Sequence, residues 1–295
     1  MTAFARRVLI LLCISLVFMA PWPAWGEVRL IVPEKAYIGQ VFTARVLATE
    51  EIKKVRFTWR GRKFLAPVSA TDQGYGVLVL LGTDVKYVQP GRLGLTAEVF
   101  LASDRVTLER KIDFYAKDFP VERLTVAADM VNPPPEMQKR IQEEALAVGR
   151  ALAVVSPEQL WTPPFLRPVP GDVSSVYGLK RFFNDQPRSP HRGLDFNAHE
   201  GEPVRAGNAG QVVLTGGHYF AGNSVYIDHG LGVVSVYLHL SRIEVQEGLR
   251  VDKGQEIGLV GGTGRVTAPH LHFGLYVFRQ AVDPTPLFSE TFFSP

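Results

Sequence analysis

Residues 27 to about 125 alternate between apolar and polar side chains in a series of short runs. In the run VTLERKIDFY the apolar face consists of Val106, Leu108, Ile112 and Phe114. Alternation with a period of two is typical of a β-strand with one buried face. Because about seven such runs, separated by turn signals, fit into about 100 residues, they predict an immunoglobulin-like β-sandwich over residues 27–125.

A helical pattern follows the strands. In NPPPEMQKRIQEEALAVGRALAVV the apolar residues recur at helical spacing: Met137, Ile141, Ala145, Val148 and Leu152. Prolines directly before the first turn suit a helix N-terminus, and we expect the apolar stripe to pack on a neighbouring domain. The proline-rich stretch WTPPFLRPVPG then predicts an extended connector. Together these segments form a predicted helical and Pro-rich linker over residues 126–169.

Residues 170–295 return to strand and turn patterns and are rich in glycine. All seven histidines of the protein lie in this part, between His191 and His272. The first 190 residues contain none, so the clustering indicates where the chemistry is done.

The N-terminus carries the one strongly apolar segment. Arg6 and Arg7 precede the apolar run of residues 8–20, and Ala24 and Gly26 are small residues at a cleavage site. This layout predicts a secretory signal peptide over residues 1–26. The alternative is an uncleaved membrane anchor, but the run is shorter than the roughly 20 residues that span a bilayer. We therefore expect a periplasmic or extracellular protein of the cell envelope, without stable membrane insertion after cleavage.

Composition and charge narrow the class of protein further. The chain is 46% hydrophobic and 21% charged, as soluble globular proteins are. Removal of residues 1–26 leaves 30 of the 32 basic side chains against 29 acidic ones, and this near-neutral balance argues against nucleic-acid binding. The single cysteine, Cys13, lies inside the predicted signal, so the mature chain has no disulfides.

Two segments place histidines beside apolar stripes. In APHLHFGLYV, strand alternation puts His270 and His272 on one face, in a space that Gly274 would keep open. In VVSVYLHLS, the same alternation places His239 on the face of Ser235 and Tyr237, near a strand end.

A third segment, SPHRGLDF, contains His191 and Asp195. Pro190 and Gly193 argue against a helix, so a turn that leads into a strand is expected to bring the two side chains together. Imidazoles and carboxylates can hold a catalytic zinc ion through three protein ligands, with an open position for water. Hydrolysis also requires a proton acceptor and a donor to the oxyanion. The three segments together provide four imidazoles and one carboxylate, which is enough for three metal ligands, one proton acceptor and one donor to the oxyanion.

In this order, HRGLD, YLHL and HLH resemble the lysostaphin/LytM-type zinc endopeptidases of bacterial cell walls. GEPVRAGNAGQVV and VDKGQEIGLVGGTGRVTAPHLHF are similar to that family as well, and the resemblance covers about residues 170–287. It implies a zinc peptidase domain over residues 170–295, an antiparallel β-sheet with a Zn²⁺ groove. The implied zinc ligands are His191, Asp195 and His272, and the implied catalytic residues are His239 and His270. The implied activity is hydrolysis of peptide bonds in peptidoglycan.

Two alternatives to a constitutively active enzyme stay open. One is a non-catalytic envelope protein that binds peptidoglycan or activates an amidase, and an envelope protein would then be a partner. The other is a zymogen-like state in which the N-terminal domain or linker covers the groove. Intact zinc ligands favour an enzyme, since an activator has no need of them.

The remaining polar residues of this region have less specific interpretations. We interpret His229 as a turn residue with its own hydrogen bond, and GGTG (residues 261–264) as a turn rather than a phosphate loop. Side chains that could flank the groove or contact substrate are Asn184, His218, Tyr219 and Arg265. His199 lies outside every motif.

Overall fold

The computed structural model describes residues 28–72, 74–102 and 104–294. The predicted signal peptide, with Cys13, lies outside the described residues. The described chain is mainly β, with antiparallel sheets, as predicted. No helix in the described ranges is long and apolar enough to cross a membrane.

The N-terminal part is a β-sandwich. Its strands are β1 Val28–Ile31, β2 Lys35–Tyr37, β3 Val41–Ala48, β4 Ile52–Trp59, β5 Arg62–Ala66, β6 Ser69–Thr71, β7 Gly74–Gly82, β8 Gly91–Leu101 and β9 Arg105–Tyr115. One sheet has the order β1-β3-β7-β6 and the other β2-β9-β8-β4-β5. This division into two sheets agrees with the predicted immunoglobulin-like sandwich. The predicted inward face of β9 is also confirmed, because Ile112 and Phe114 are buried.

The segment after the sandwich runs along the C-terminal part. It contains β10 Val121–Leu124, α1 Ala128–Val131, a 3₁₀ turn at Pro135–Met137 and α2 Gln138–Ala151. The stripe of α2 packs as expected on the C-terminal part, where Val148 and Leu152 join its core. The proline-rich stretch that follows is irregular, and its Trp161 and Phe165 are fully buried.

The C-terminal part is built on one large sheet. Its strands are β11 Val173–Ser175, β12 Lys180–Phe183, β13 Gln186–Pro187, β14 Leu194–Phe196, β15 Pro203–Arg205, β16 Gly210–His218, β17 Gly222–Asp228, β18 Val233–Leu240, β19 Arg242–Ile243, β20 Arg250–Val251, β21 Glu256–Leu259, β22 Leu271–Val277 and β23 Gln280–Val282. The large sheet has the order β11-β14-β22-β18-β17-β16-β20, with β23 beside β22. Strands β15, β21 and β19 form a smaller sheet. The chain ends with 3₁₀ turns at Thr285–Phe288 and Glu290–Phe293.

The sandwich and the large sheet are packed against each other. Phe64 of β5 stacks on Phe278, with ring centroids 4.3 Å apart. The Tyr177 hydroxyl accepts a hydrogen bond from the Val85 amide at 3.1 Å and donates to the Ala281 carbonyl at 2.8 Å. Apolar side chains of both parts therefore share one buried cluster, beside the separate core of the C-terminal part.

Candidate metal centre and active site

The pairing of β14 with β22 brings the first three predicted site residues together. Asp195 lies directly opposite His272 across the two strands, and His191 lies in the turn that leads into β14. Asp195 Oδ1 is 2.7 Å from His272 Nδ1 and 3.0 Å from His191 Nε2, and the two ring nitrogens are 3.0 Å apart. Three potential ligand atoms therefore converge on one point.

The hydrogen bonds of His191 indicate which of its nitrogens is free. Its Nδ1 lies 2.9 Å from the Val176 carbonyl oxygen. Since a carbonyl can only accept, Nδ1 carries the proton and Nε2 presents a lone pair. That lone pair faces a carboxylate oxygen of Asp195, which also only accepts. A cation between the two atoms would satisfy both, and nitrogen and oxygen donors of this kind suit zinc.

Burial and mutual contact set the charges of this cluster. Burial alone would raise the pKa of Asp195, but its contacts with His191 and His272 outweigh that effect, and the pKa lies well below its usual range. Burial lowers the pKa of His272 to about 4, against the opposing effect of Asp195. At neutral pH the site therefore offers a carboxylate and a neutral imidazole, the forms in which these groups bind a metal.

His270 lies beside this cluster without joining it. It precedes β22, and its Nδ1 lies 2.8 Å from the Ala268 carbonyl oxygen, which assigns the ring proton to Nδ1. Its Nε2 lies 3.8 Å from Asp195 Oδ1. His270 and His272 thus face the same site, as alternation predicted, but they present different nitrogens to it.

A bulge in β18 positions His239. Between the pairs Asn223–Leu240 and Val225–Tyr237, β17 advances by two residues and β18 by three, so β18 contains one extra residue. His239 lies in this bulge with a φ of 67°, in the left-handed region. Its ring centroid is 5.0 Å from that of His270.

The prediction that His239 lies on the same strand face as Ser235 and Tyr237 is wrong because of this bulge. The register pairs Leu238 with His272, so strict alternation would direct His239 to the opposite face, that of Tyr237. The bulge turns it back, and its ring centroid lies 6.2 Å from that of His272. The turn at 261–264 then holds it, since His239 Nδ1 lies 2.9 Å from the Thr263 carbonyl oxygen. Burial and two neighbouring imidazoles lower the pKa of His239 to about 3.

Glycines bring the two metal-site segments into close contact. A Cβ at Gly193 would lie 2.5 Å from the Phe273 carbonyl oxygen and 2.7 Å from the His272 ring. Gly274 does not keep a space open as expected, because the Val236 side chain and the Arg192 carbonyl fill it. Both glycines allow the turn at 191–195 to lie directly on β22.

The network behind Asp195 contains residues that no motif predicts. Arg181 of β12 lies between Asp195 and Glu122 of β10, with nitrogen–oxygen distances of 2.6 Å to each carboxylate. Ser175 joins the group by donating to Glu122 over 2.9 Å. The only sequence signal for this network is charge, since no spacing relates residue 122 to residue 181.

Two of the three histidines outside the motifs form side-chain hydrogen bonds within the fold. His229 is buried, and its Nδ1–H donates to the Ala209 carbonyl at 2.7 Å while Nε2 accepts from the Ser235 hydroxyl at 2.7 Å. This confirms its interpretation as a turn residue with its own hydrogen bonds. His218 lies 2.7 Å from the Ser224 hydroxyl, and His199 is exposed.

The loops around the site are bonded to the segment at 126–131. Asn184 exchanges two hydrogen bonds of 3.0 Å with the backbone of Val126. The Tyr219 hydroxyl donates to the Asp129 carbonyl at 3.2 Å. Arg265 donates to the Met130 carbonyl at 3.4 Å. Three side chains that could have contacted substrate therefore contact this chain's own backbone.

Known proteins resemble the part of the chain that carries the three potential ligands together with His239 and His270. The model of peptidase family M23 matches residues 189–284. Peptidoglycan DD-endopeptidase ShyA of Vibrio cholerae is 52% identical over 112 residues, which are 38% of this chain and 26% of that protein. DD-carboxypeptidase/endopeptidase Mpg of Neisseria meningitidis is 44% identical over 94 residues, which are 32% of this chain and 22% of that protein. The matched segment thus spans about a quarter of the length of these relatives.

A solved structure extends the likeness beyond this segment. The crystal structure of a candidate M23 peptidase from Pseudomonas aeruginosa aligns with a TM-score of 0.63 and 29% identity. The alignment covers 83% of this chain and 92% of that one. The similarity therefore includes residues outside the matched family segment.

Proposed function

The chain carries a domain of peptidase family M23 over residues 189–284, and we propose on this basis that it is a zinc-dependent endopeptidase of peptidoglycan. The observation that carries the proposal is the convergence of His191 Nε2, Asp195 Oδ1 and His272 Nδ1 within 2.7–3.0 Å of one another. These three residues would hold the zinc ion. When bound, zinc supplies the Lewis acidity that activates water and polarises the substrate carbonyl.

His239 and His270 would handle the protons of this reaction. Each has its Nδ1 proton committed to a backbone carbonyl, of Thr263 and Ala268 respectively, so each has a free Nε2 lone pair. One ring can accept the proton of the attacking water as a general base. The other can stabilise the developing oxyanion once it is protonated. Both rings lie beside the ligand cluster and outside it, as these roles require.

We propose the D,D cross-link between peptide stems as the bond that is cleaved. The support is the activity for which the relatives are named, peptidoglycan DD-endopeptidase or DD-carboxypeptidase/endopeptidase. Such a substrate lies outside the cytoplasm, in accord with the signal peptide predicted for residues 1–26. A non-catalytic envelope protein is disfavoured by the complete set of three ligands and two free histidines.

The test is digestion of purified sacculi by the full-length mature chain with added zinc, with the released muropeptides identified by mass spectrometry. We expect wild type to convert cross-linked dimers to monomers and Asp195→Ala to be inactive. Asp252→Ala, which removes an exposed carboxylate of the same part, serves as the control and should retain activity. No release by wild type, or equal release by Asp195→Ala, would contradict the proposal.

A further inference from the structure

The second carboxylate oxygen of Asp195, Oδ2, accepts a hydrogen bond from an arginine that precedes the matched family segment. Arg181 Nη2 lies 2.6 Å from Asp195 Oδ2, while Arg181 Nε lies 2.6 Å from Glu122 Oε2. The side chains of Arg181, Asp195 and Glu122 are only 16%, 9% and 21% exposed, respectively. Buried charge-assisted hydrogen bonds of this length are strong and directional.

This contact fixes the orientation of the Asp195 carboxylate. Because Oδ2 is occupied by Arg181, Oδ1 is directed at His191 and His272. The carboxylate can therefore offer one oxygen to a metal and cannot rotate to offer both. Partners behind a ligand are known to set ligand orientation in this way, and their loss typically weakens metal binding by about 10–100-fold.

Glu122 offsets the charge that Arg181 brings. A guanidinium beside a metal centre repels the cation, and burial strengthens that repulsion. Glu122 places a second carboxylate on the far side of the guanidinium, so that one positive charge is shared by two negative ones. The Ser175 hydroxyl connects the group to another ligand residue, since it lies 3.0 Å from Arg181 Nη2 and 3.3 Å from His191 Nδ1.

The fold delivers Glu122 to this place by strand pairing. Strand β10 runs parallel to β12, and the register places Glu122 directly opposite Arg181. The two residues are 59 positions apart in the sequence, and β10 follows the sandwich along the chain before it docks on the C-terminal part. A carboxylate from a separate segment thus reaches the back of the ligand cluster.

We propose that Arg181 and Glu122 are positioning residues of the metal centre, so that the segment before the family domain completes the site. This inference rests on the proposed zinc site. Arg181 acts by holding Asp195, and Glu122 acts by holding and neutralising Arg181. Neither side chain needs to touch the substrate.

The test measures zinc affinity of the full-length mature chain by competition with a chromogenic chelator. We expect Arg181→Gln to weaken zinc binding by about 10–100-fold, and Glu122→Gln to weaken it by about tenfold. Arg181→Lys keeps the charge but loses the two-sided geometry, so its affinity should fall between those of wild type and Arg181→Gln. The control is Arg123→Gln. Arg123 lies beside Glu122 on β10 and forms an exposed ion pair with Asp185, so this variant should bind zinc as wild type does.

A double variant tests whether Glu122 affects zinc binding through Arg181, which we call a relay, or independently of it. If Glu122 acts through Arg181, then Arg181→Gln/Glu122→Gln should bind zinc no more weakly than Arg181→Gln alone. Additive losses would contradict the relay. Wild-type affinity in Arg181→Gln and Glu122→Gln, with a wild type that binds zinc, would overturn this inference and leave the proposed function standing. A wild type that binds no zinc would instead overturn the proposed function.

Discussion

The imidazole rings of His239 and His270 lie with their centroids 5.0 Å apart, although His239 lies in β18 and His270 directly precedes β22. Each ring donates its Nδ1 proton to a backbone carbonyl, and each keeps its Nε2 free. This pairing separates them from His191 and His272, whose nitrogens converge on Asp195. This geometry supports the proposed division of the site into a ligand cluster and a pair of proton-handling rings.

The first prediction concerns His239, which the bulge in β18 positions. His239→Ala should retain zinc and lose about 10²–10⁴-fold in turnover, because general acid–base groups contribute about that much. The measurement combines zinc content with the rate of muropeptide hydrolysis. His199→Ala, which removes an exposed histidine, is the matched control. Loss of zinc from His239→Ala would show instead that this ring is a ligand.

The second prediction concerns the close contact at Gly193. A Cβ there would meet the Phe273 carbonyl at 2.5 Å, and backbone cannot move aside cheaply. We expect Gly193→Ala to lower the free energy of unfolding by about 1–3 kcal/mol and to weaken zinc binding through the displaced His272 ring. Denaturant unfolding of the metal-free protein measures the first effect, and chelator competition measures the second.

A helical glycine provides the control for this substitution. Gly149 lies within α2, and a Cβ there would meet nothing within 4 Å. Gly149→Ala should therefore raise the free energy of unfolding by about 0.5–1 kcal/mol. Equal stability of Gly193→Ala and wild type would refute the close packing of the turn on β22.

The third prediction concerns acid stability. Burial lowers the pKa of His229 to about 4, against about 6.5 in the unfolded chain. Below pH 6.5 the unfolded chain therefore binds a proton at His229 that the folded chain does not. The free energy of unfolding is unaffected by this residue's titration above pH 6.5 and falls as the pH is lowered towards 4. The loss amounts to about 3 kcal/mol, at about 1.4 kcal/mol for each pH unit.

His229→Gln removes this titration. The free energy of unfolding of the variant should fall less steeply than that of wild type between pH 6.5 and 4, as measured by urea unfolding at each pH. His199→Gln should follow wild type, since that histidine is exposed. Parallel curves for His229→Gln and wild type would contradict a buried neutral His229.

The fourth prediction addresses the zymogen-like alternative. The backbone at 126–131 binds Asn184, Tyr219 and Arg265, which lie on loops around the site. If this contact restrains substrate access, Asn184→Ala should raise the rate of sacculus digestion several-fold while zinc affinity stays unchanged. An unchanged or lower rate would argue that the segment supports the loops rather than covering the site.

Local patterns predicted most of the fold. Alternation identified the inward face of β9, where Ile112 and Phe114 are buried, and the shared orientation of His270 and His272. The helical stripe predicted that the α2 segment would pack on a neighbouring core, as its Val148 does. These features depend on residues close in sequence, and their spacing is visible in one chain.

Features that depend on distant strands could not be read from the sequence. The bulge that reverses His239 arises from the register of β18 on β17, and no residue type in YLHL signals it. The contact between Glu122 and Arg181 depends on the parallel pairing of β10 with β12. The same holds for Gly274, whose space is filled by Val236 from a neighbouring strand.

The most direct test of the central claim compares His272→Ala with His270→Ala for bound zinc, measured by elemental analysis of the purified full-length mature proteins, and for hydrolysis of a cross-linked muropeptide. A single residue separates the two histidines, yet His272 Nδ1 lies 2.7 Å from Asp195 Oδ1 and His270 Nε2 lies 3.8 Å from it. We predict that His272→Ala loses both zinc and activity, while His270→Ala keeps zinc and loses turnover. Equal loss of zinc in the two variants would contradict the division of the site into three ligands and two proton-handling histidines.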